Sequence, residues 1–299
     1  MSAKADKMLC CVSCGIAGGD NDVKKLKDCS ACKLVKYCGV QCQREHRREH
    51  KKECNRRAAE LRDEILFKQQ ESADLGDCPL CCLPFPIKEK STMMPCCCKK
   101  ICKGCIYANF KREIEGRLEH KCPFCRSVHS VQEAKRKFIE RAEANDPFAL
   151  SKMGEEHYSE GDYHSAIQYF TKAVAFANEV GAHHQLSLMY VRGHGVEKDE
   201  KKTVYHLEEA AIGGHPVARH NLGHMEEIRG RMDRAVKHFI IAANMGYDSS
   251  LEALKKLYRD GLVSKMDLAS ALRAHQAAVD ATKSPLREEA AMFMRSMKK

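Results

Sequence analysis

Tryptophan is absent from this chain of 299 residues, and aromatic side chains make up only 6% of it. A core built on stacked indoles is therefore excluded. Cysteine is absent after Cys125, so any thiol chemistry is confined to the first part of the chain. No apolar run approaches the roughly 20 residues needed to cross a bilayer, and the opening stretch Met1 to Lys7 has no apolar signal core. The expected setting is a reducing one, cytoplasmic or nuclear. Also missing are a phosphate-binding glycine loop, a dinucleotide-binding glycine pattern and a nucleophile elbow. These absences remove the common nucleotide-dependent and hydrolase classes.

What is present is cysteine: eighteen of them, all between Cys10 and Cys125 and mostly in C-x-x-C pairs. In a reducing compartment such pairs read as zinc ligands rather than disulfides. They form two groups of eight ligands, and eight ligands make two tetrahedral sites, so four Zn2+ ions are expected.

The first group is Cys11, Cys14, Cys29, Cys32, Cys38, Cys42, His50 and Cys54. Cys38 and Cys42, like His50 and Cys54, stand four residues apart, on one face of a helix. Helical turns are expected at 40–43 and 44–57. With Tyr37-Cys38, Cys42-Gln43 and His50-Lys51 in place, residues 11 to 54 resemble a MYND-type zinc finger. That resemblance implies interleaved sites, one from Cys11, Cys14, Cys38 and Cys42, the other from Cys29, Cys32, His50 and Cys54. His46, one turn earlier, is an alternative to His50, and Cys10 is a spare thiol. Where the family carries a tryptophan this chain has Arg47, which puts the family's platform for proline-rich peptides in question.

The second group runs Cys78-Pro-Leu-Cys81, Cys96-Cys97-Cys98, Cys102-x-x-Cys105 and Cys122-Pro-Phe-Cys125-Arg126. It resembles a RING finger with cysteine at all eight ligand positions. The resemblance implies one site from Cys78, Cys81, Cys102 and Cys105, and another from two of the triplet with Cys122 and Cys125. Spacing permits Cys96 with either Cys97 or Cys98, and the usual spacing before the fifth ligand in all-cysteine variants favours Cys97. Cys82 and the third member of the triplet then remain free.

RING fingers that act as ubiquitin-protein ligases carry apolar residues where this chain has Leu80 and Ile106, a proline where it has Pro123, and a basic residue where it has Arg126. By that resemblance Leu80, Ile106 and Pro123 form a shelf for a ubiquitin-conjugating enzyme. Arg126 is the catalytic candidate, holding the ubiquitin thioester in one reactive geometry. The plainer reading is that Leu80 and Pro123 only pack a small zinc core and that the finger binds partners without activity.

The formal net charge is +10. Fifteen thiolates and four divalent ions lower it to about +3. The basic run Arg44, Arg47, Arg48, Lys51, Lys52, Arg56 and Arg57 is interspersed with Glu45, Glu49 and Glu53, the pattern of a solvated helix. Protein partners are expected, rather than nucleic acid or membrane.

Beyond Arg126, the residues Val131, Ala134, Phe138 and Ala142 keep a helical period. Asn145-Asp146-Pro147 marks a stop and a new start, with Asp146 as cap. From there Ala149, Ala182, Ala218 and Ser250 each precede by four residues Met153, Leu186, Leu222 and Leu254, whose spacings are 33, 36 and 32. A period near 35 with two helices per unit predicts an α-solenoid. The motifs resemble Sel-one-like repeats, relatives of tetratricopeptide repeats, and imply a concave face for a protein partner. His183, His184, His194, His206, His215, His220 and His224 read as packing or surface residues.

The fold class expected is mainly α, a solenoid preceded by two cross-braced zinc modules. The divisions are 1–55 (MYND-type finger), 56–74 (helical linker), 75–128 (RING-type finger), 129–146 (linker helix), 147–264 (repeats) and 265–299 (a capping helix near 267–282 and a tail). The layout also resembles algal multidomain proteins that combine these three parts. The function expected is a RING-type ubiquitin-protein ligase whose repeats select the substrate. The alternatives are a non-enzymatic adaptor and, ranked lower, a nucleic-acid-associated protein.

Overall fold

The computed structural model describes residues 10–18, 25–70, 72–87, 92–127 and 130–297. The opening residues read for a signal core lie outside these. The chain divides into two compact units, residues 1–68 and 69–299.

The first unit is a hairpin of β1 (Lys27–Asp28) and β2 (Lys36–Tyr37), followed by helix α1 (Val40–Leu66). Its core is ligand cysteines packed on Tyr37. Helical turns were expected at 40–43 and 44–57, with a separate linker helix beyond. The structure has instead one continuous helix of 27 residues that stops at Leu66. Neither Gly nor Pro occurs inside it to break the ladder. Ion pairs Arg56–Glu60 and Arg57–Glu64 carry it past the finger.

The second unit opens with a hairpin of β3 (Thr92–Met94) and β4 (Lys99–Ile101), then α2 (Lys103–Glu115). Helix α3 (Val131–Glu143) follows, started by a Ser130–Glu133 capping box. Next come four antiparallel pairs: α4 (Pro147–Ser159) with α5 (Tyr163–Ala177), α6 (Val180–Arg192) with α7 (Glu200–Ile212), α8 (Pro216–Ile228) with α9 (Met232–Asn244), and α10 (Asp248–Arg259) with α11 (Lys265–Ala281). Asp146 caps α4 by accepting from the amides of Phe148 and Ala149, with Pro147 at the first helical position.

The repeating alanines explain the pairing. Ala149, Ala182, Ala218 and Ser250 are fully buried, and Leu186, Leu222 and Leu254 nearly so. The small residue that follows each large one sets how closely two helices approach. At Gly154 an added Cβ would stand 2.7 Å from the Phe170 ring, and at Gly223 it would stand 2.5 Å from Phe239. The middle repeat uses Ser187 and Thr203 at the corresponding places, both buried, each hydroxyl bonding a carbonyl of its own helix. Glycine thus stands against phenylalanine in two repeats, and serine and threonine occupy the same two places in the middle one.

The repeat surface is not left wholly to a partner. The Asp74 amide donates to Gly214 O, Arg219 donates to the side chain of Gln70, and Lys100 sits 4.5 Å over the Phe148 ring. Gln70, Asp74 and Lys100 thus lie against part of the repeat surface.

The C-terminal tail is a further helix, α12 (Pro285–Ser296), which packs on α2. Ser284 caps it and Pro285 occupies its first position, the same start signal as Asp146-Pro147. Among the described residues no helix is long and apolar enough to cross a membrane.

Candidate metal centres

Four of the five C-x-x-C segments fold into a small knuckle with a shared backbone pattern, the exception being Cys102–Cys105 at the start of α2. The residue after the second cysteine is left-handed: Gly15, Lys33, Cys82 and Arg126 have φ of 74°, 57°, 54° and 60°. Its amide donates to the carbonyl of the first cysteine in all four, from Gly15 to Cys11, Lys33 to Cys29, Cys82 to Cys78 and Arg126 to Cys122. The turn points both sulfurs inward. Only glycine takes the left-handed conformation without cost, so three knuckles carry some strain.

The second ligand pairs come from helices and a hairpin turn. Cys38 precedes α1, whose first turn carries Cys42, and His50 and Cys54 follow one face of that helix. Cys102 caps α2, its sulfur accepting from the Cys105 amide at 3.4 Å. In the β3–β4 turn the amides of Cys97 and Cys98 both donate to Met94 O, and Cys98 takes the left-handed position. That turns Cys98 away from its neighbours, to pack against the cluster that includes Phe138 and Ala142.

The side chains gather into four clusters: Cys11, Cys14, Cys38 and Cys42; Cys29, Cys32, His50 and Cys54; Cys78, Cys81, Cys102 and Cys105; Cys96, Cys97, Cys122 and Cys125. Within each, the ligand atoms lie within 4.8 Å of one another. Closest sulfur pairs are 3.5 Å for Cys14–Cys38, 3.7 Å for Cys29–Cys54, 3.7 Å for Cys81–Cys102 and 3.5 Å for Cys96–Cys125. A tetrahedral zinc with bonds of about 2.3 Å has sulfur edges of about 3.8 Å, whereas a disulfide would need about 2.05 Å. Cys32 Sγ lies 3.2 Å from His50 Nε2, the shorter edge expected where nitrogen replaces sulfur. His46 is engaged elsewhere, its Nδ1 3.1 Å from the Tyr37 hydroxyl. Cys10, Cys82 and Cys98 join none of the clusters.

Electrostatics give a second test of fit. Burial pushes the Cys11 thiol up, but backbone donors at Cys14, Cys38 and Ser13 outweigh it and bring it to about 6. Cys42, bonded to Cys38, is held at about 12. Cys29 likewise falls to about 6 while burial holds Cys54 near 12. Four crowded thiols cannot all ionise beside one another, and a divalent cation reverses that balance. The donor sets therefore suit Zn2+ at four centres.

The remaining candidates surround the second module. Leu80, between two ligands, is 40% exposed. Ile106 packs beside the Cys78 and Cys102 cluster, Pro123 is half-buried, and Arg126 is exposed. Glu113, which the sequence did not single out, is 5% exposed and accepts from the side chains of Asn109 and His120 and from the amide of Lys121. It ties α2 to the loop that leads into Cys122. A cleft of about 1050 Å3 lies beyond, lined by Met93, Met94, Phe138, Ile139, Met153 and His157 among others.

Residues 11–54 match the family model of the MYND finger. Residues 147–175, 180–215 and 216–247 match that of the Sel1 repeat. Among solved structures, the chain is similar to a Sel1 repeat protein from Oxalobacter formigenes, at 30% identity over 51% of this chain and 65% of that one, with a TM-score of 0.43. It is also similar to a protective antigen present in uropathogenic Escherichia coli strains displaying an SLR fold, at 28% identity over 50% and 33% of the two chains, with a TM-score of 0.41. The chain spans less than two thirds of the length of either. No curated protein matches it. Residues 11–54 thus carry a MYND finger and residues 147–247 carry Sel1 repeats.

Proposed function

We propose that the protein is a RING-type ubiquitin-protein ligase of the cytoplasm or nucleus, with residues 75–128 as its RING module. In this reading Leu80, Ile106 and Pro123 dock a ubiquitin-conjugating enzyme, Arg126 holds the ubiquitin thioester, and the repeats, with the first finger, engage the substrate. Zinc supplies no reaction step. It fixes the two loops and α2 that present these side chains, and catalysis is by positioning.

The observation that carries the reading is Arg126 itself. It directly follows the last ligand, is exposed, and occupies a left-handed position where glycine would fit with less strain. Lys33 shares that backbone position in the first finger, so what gives Arg126 its role in this reading is the resemblance to ligase RING fingers, which carry a basic residue after the last ligand. Leu80 adds a large apolar side chain left in solvent between two ligands.

The left-handed backbone also supplies a clean variant. Arg126→Gly removes the side chain and relieves the strain, so the fold and zinc content are retained. The zinc-loaded protein is incubated with ubiquitin, ATP, activating enzyme and a panel of conjugating enzymes. Chains formed by the native protein and lost in the glycine variant support the ligase. No chains with any conjugating enzyme, from protein carrying four zinc ions, leave a non-enzymatic adaptor.

A further inference from the structure

A zinc ion held by four thiolates carries a net charge of −2, and burying it calls for hydrogen-bond donors to the sulfurs. At the site formed by Cys78, Cys81, Cys102 and Cys105 the backbone supplies two. The Cys102 amide donates to Cys78 Sγ at 3.5 Å and the Cys105 amide to Cys102 Sγ at 3.4 Å. The donor to Cys81 comes from 206 residues away: Arg287 Nη2, on α12, lies 3.6 Å from Cys81 Sγ.

Arg287 is only 9% exposed. Its Nη2 also donates to Leu83 O at 3.0 Å, and its Nη1 to Pro84 O and Thr282 O, both at 2.6 Å. These partners are three carbonyls and a sulfur, with no carboxylate among them. A buried guanidinium so placed is costly unless an anion faces it, and the metal–thiolate centre is that anion. The same guanidinium ties the loop Cys81–Pro84 to the end of α11.

The seat of α12 is built for this approach. Gly104 lies between two ligands on α2, and a Cβ there would stand 2.9 Å from Arg287 Cγ and 3.1 Å from its Cα. Two turns further along α12, Phe293 packs 5.1 Å from Tyr107 and 6.1 Å from Phe110 of α2.

We propose that Arg287 belongs to this metal site: it donates to the Cys81 thiolate and locks the loop bearing it, so α12 governs how tightly one of the four centres holds its ion. This stands apart from the ligase reading. Arg287 is a positioning residue, acting through Cys81.

The test uses the full zinc-loaded chain with Arg287→Met, Arg287→Lys and, pressing from the other side, Gly104→Ala. Zinc release to a chromophoric chelator is timed, and the exposed cysteines are alkylated and mapped by mass spectrometry. One of the four ions is expected to leave about 10- to 100-fold faster in Arg287→Met, with Cys78, Cys81, Cys102 and Cys105 alkylated ahead of the other ligands. Gly104→Ala reproduces the pattern, and Arg287→Lys restores part of the retention, because it keeps a charge near the sulfur but cannot bridge the carbonyls. Release of all four ions together with the helical signal would show a general fold defect and overturn the proposal. So would native kinetics in Arg287→Met, or no rescue by lysine.

Discussion

The facing pairs of the repeats permit a quantitative test. In the third repeat Gly223 faces Phe239, and a Cβ on Gly223 would lie 2.5 Å from the ring where ordinary contact begins at 3.4 Å. Gly223→Ser therefore drives the ring back by about 1 Å, an overpacking that costs roughly 1–3 kcal/mol, offset by about 0.5 kcal/mol of helix propensity. Phe239→Thr alone empties a fully buried site and costs about 3–5 kcal/mol. The double variant recreates the Ser187–Thr203 pair of the second repeat, in which both hydroxyls are bonded within their own helices. It should recover about 1–3 kcal/mol relative to the sum of the two single changes. Urea unfolding of the zinc-saturated protein, followed by far-ultraviolet circular dichroism, gives all four corners of the cycle. Additivity within about 0.5 kcal/mol would refute the idea that the two positions are sized to each other.

Acid should loosen the repeats. Burial holds His184 near 3, His215 near 4 and His238 near 3. These folded values lie below the unfolded one of about 6.5, so their contribution is complete above that pH. It is lost as pH falls from about 6.5 toward 4, by roughly 4 kcal/mol per pH unit for the three. Burial holds His206 and His220 near 4 in the same way, so His215→Asn, which keeps the α8 cap but cannot titrate, should shrink the fall in melting midpoint between pH 7 and 5 by about a fifth, and an unchanged fall would count against this cause. Chelation should unfold both fingers and leave most of the helical signal, because no ligand cysteine lies in the buried core of α4 to α10. Collapse of that signal on chelation would contradict the modular account.

Much of this was legible because it is local. The C-x-x-C spacing closes one knuckle, Asp146-Pro147 starts one helix, and the spacing of Ala149, Ala182 and Ala218 marks equivalent turns. Less legible was what joins distant segments. Nothing near Arg287 marks it as a neighbour of Cys81, and Glu113 is one acid among many until the Lys121 amide and His120 are brought to it. The α12 start was readable in Ser284-Pro285 but carried no repeat to draw attention. Helix α1 ran longer than expected because the finger's last ligands sit inside a helix that ion pairs extend, not at its end.

One measurement addresses the four metal centres together. The native protein is counted for zinc by native mass spectrometry, then exposed to a small excess of alkylating reagent and mapped cysteine by cysteine. Four ions should be found, with Cys10 and Cys82 modified first, Cys98 more slowly because it packs against the buried cluster around Phe138, and the fifteen ligand cysteines protected until a chelator is added. Fewer than four ions, or early modification of any residue in the four clusters, would contradict the assignment of four centres.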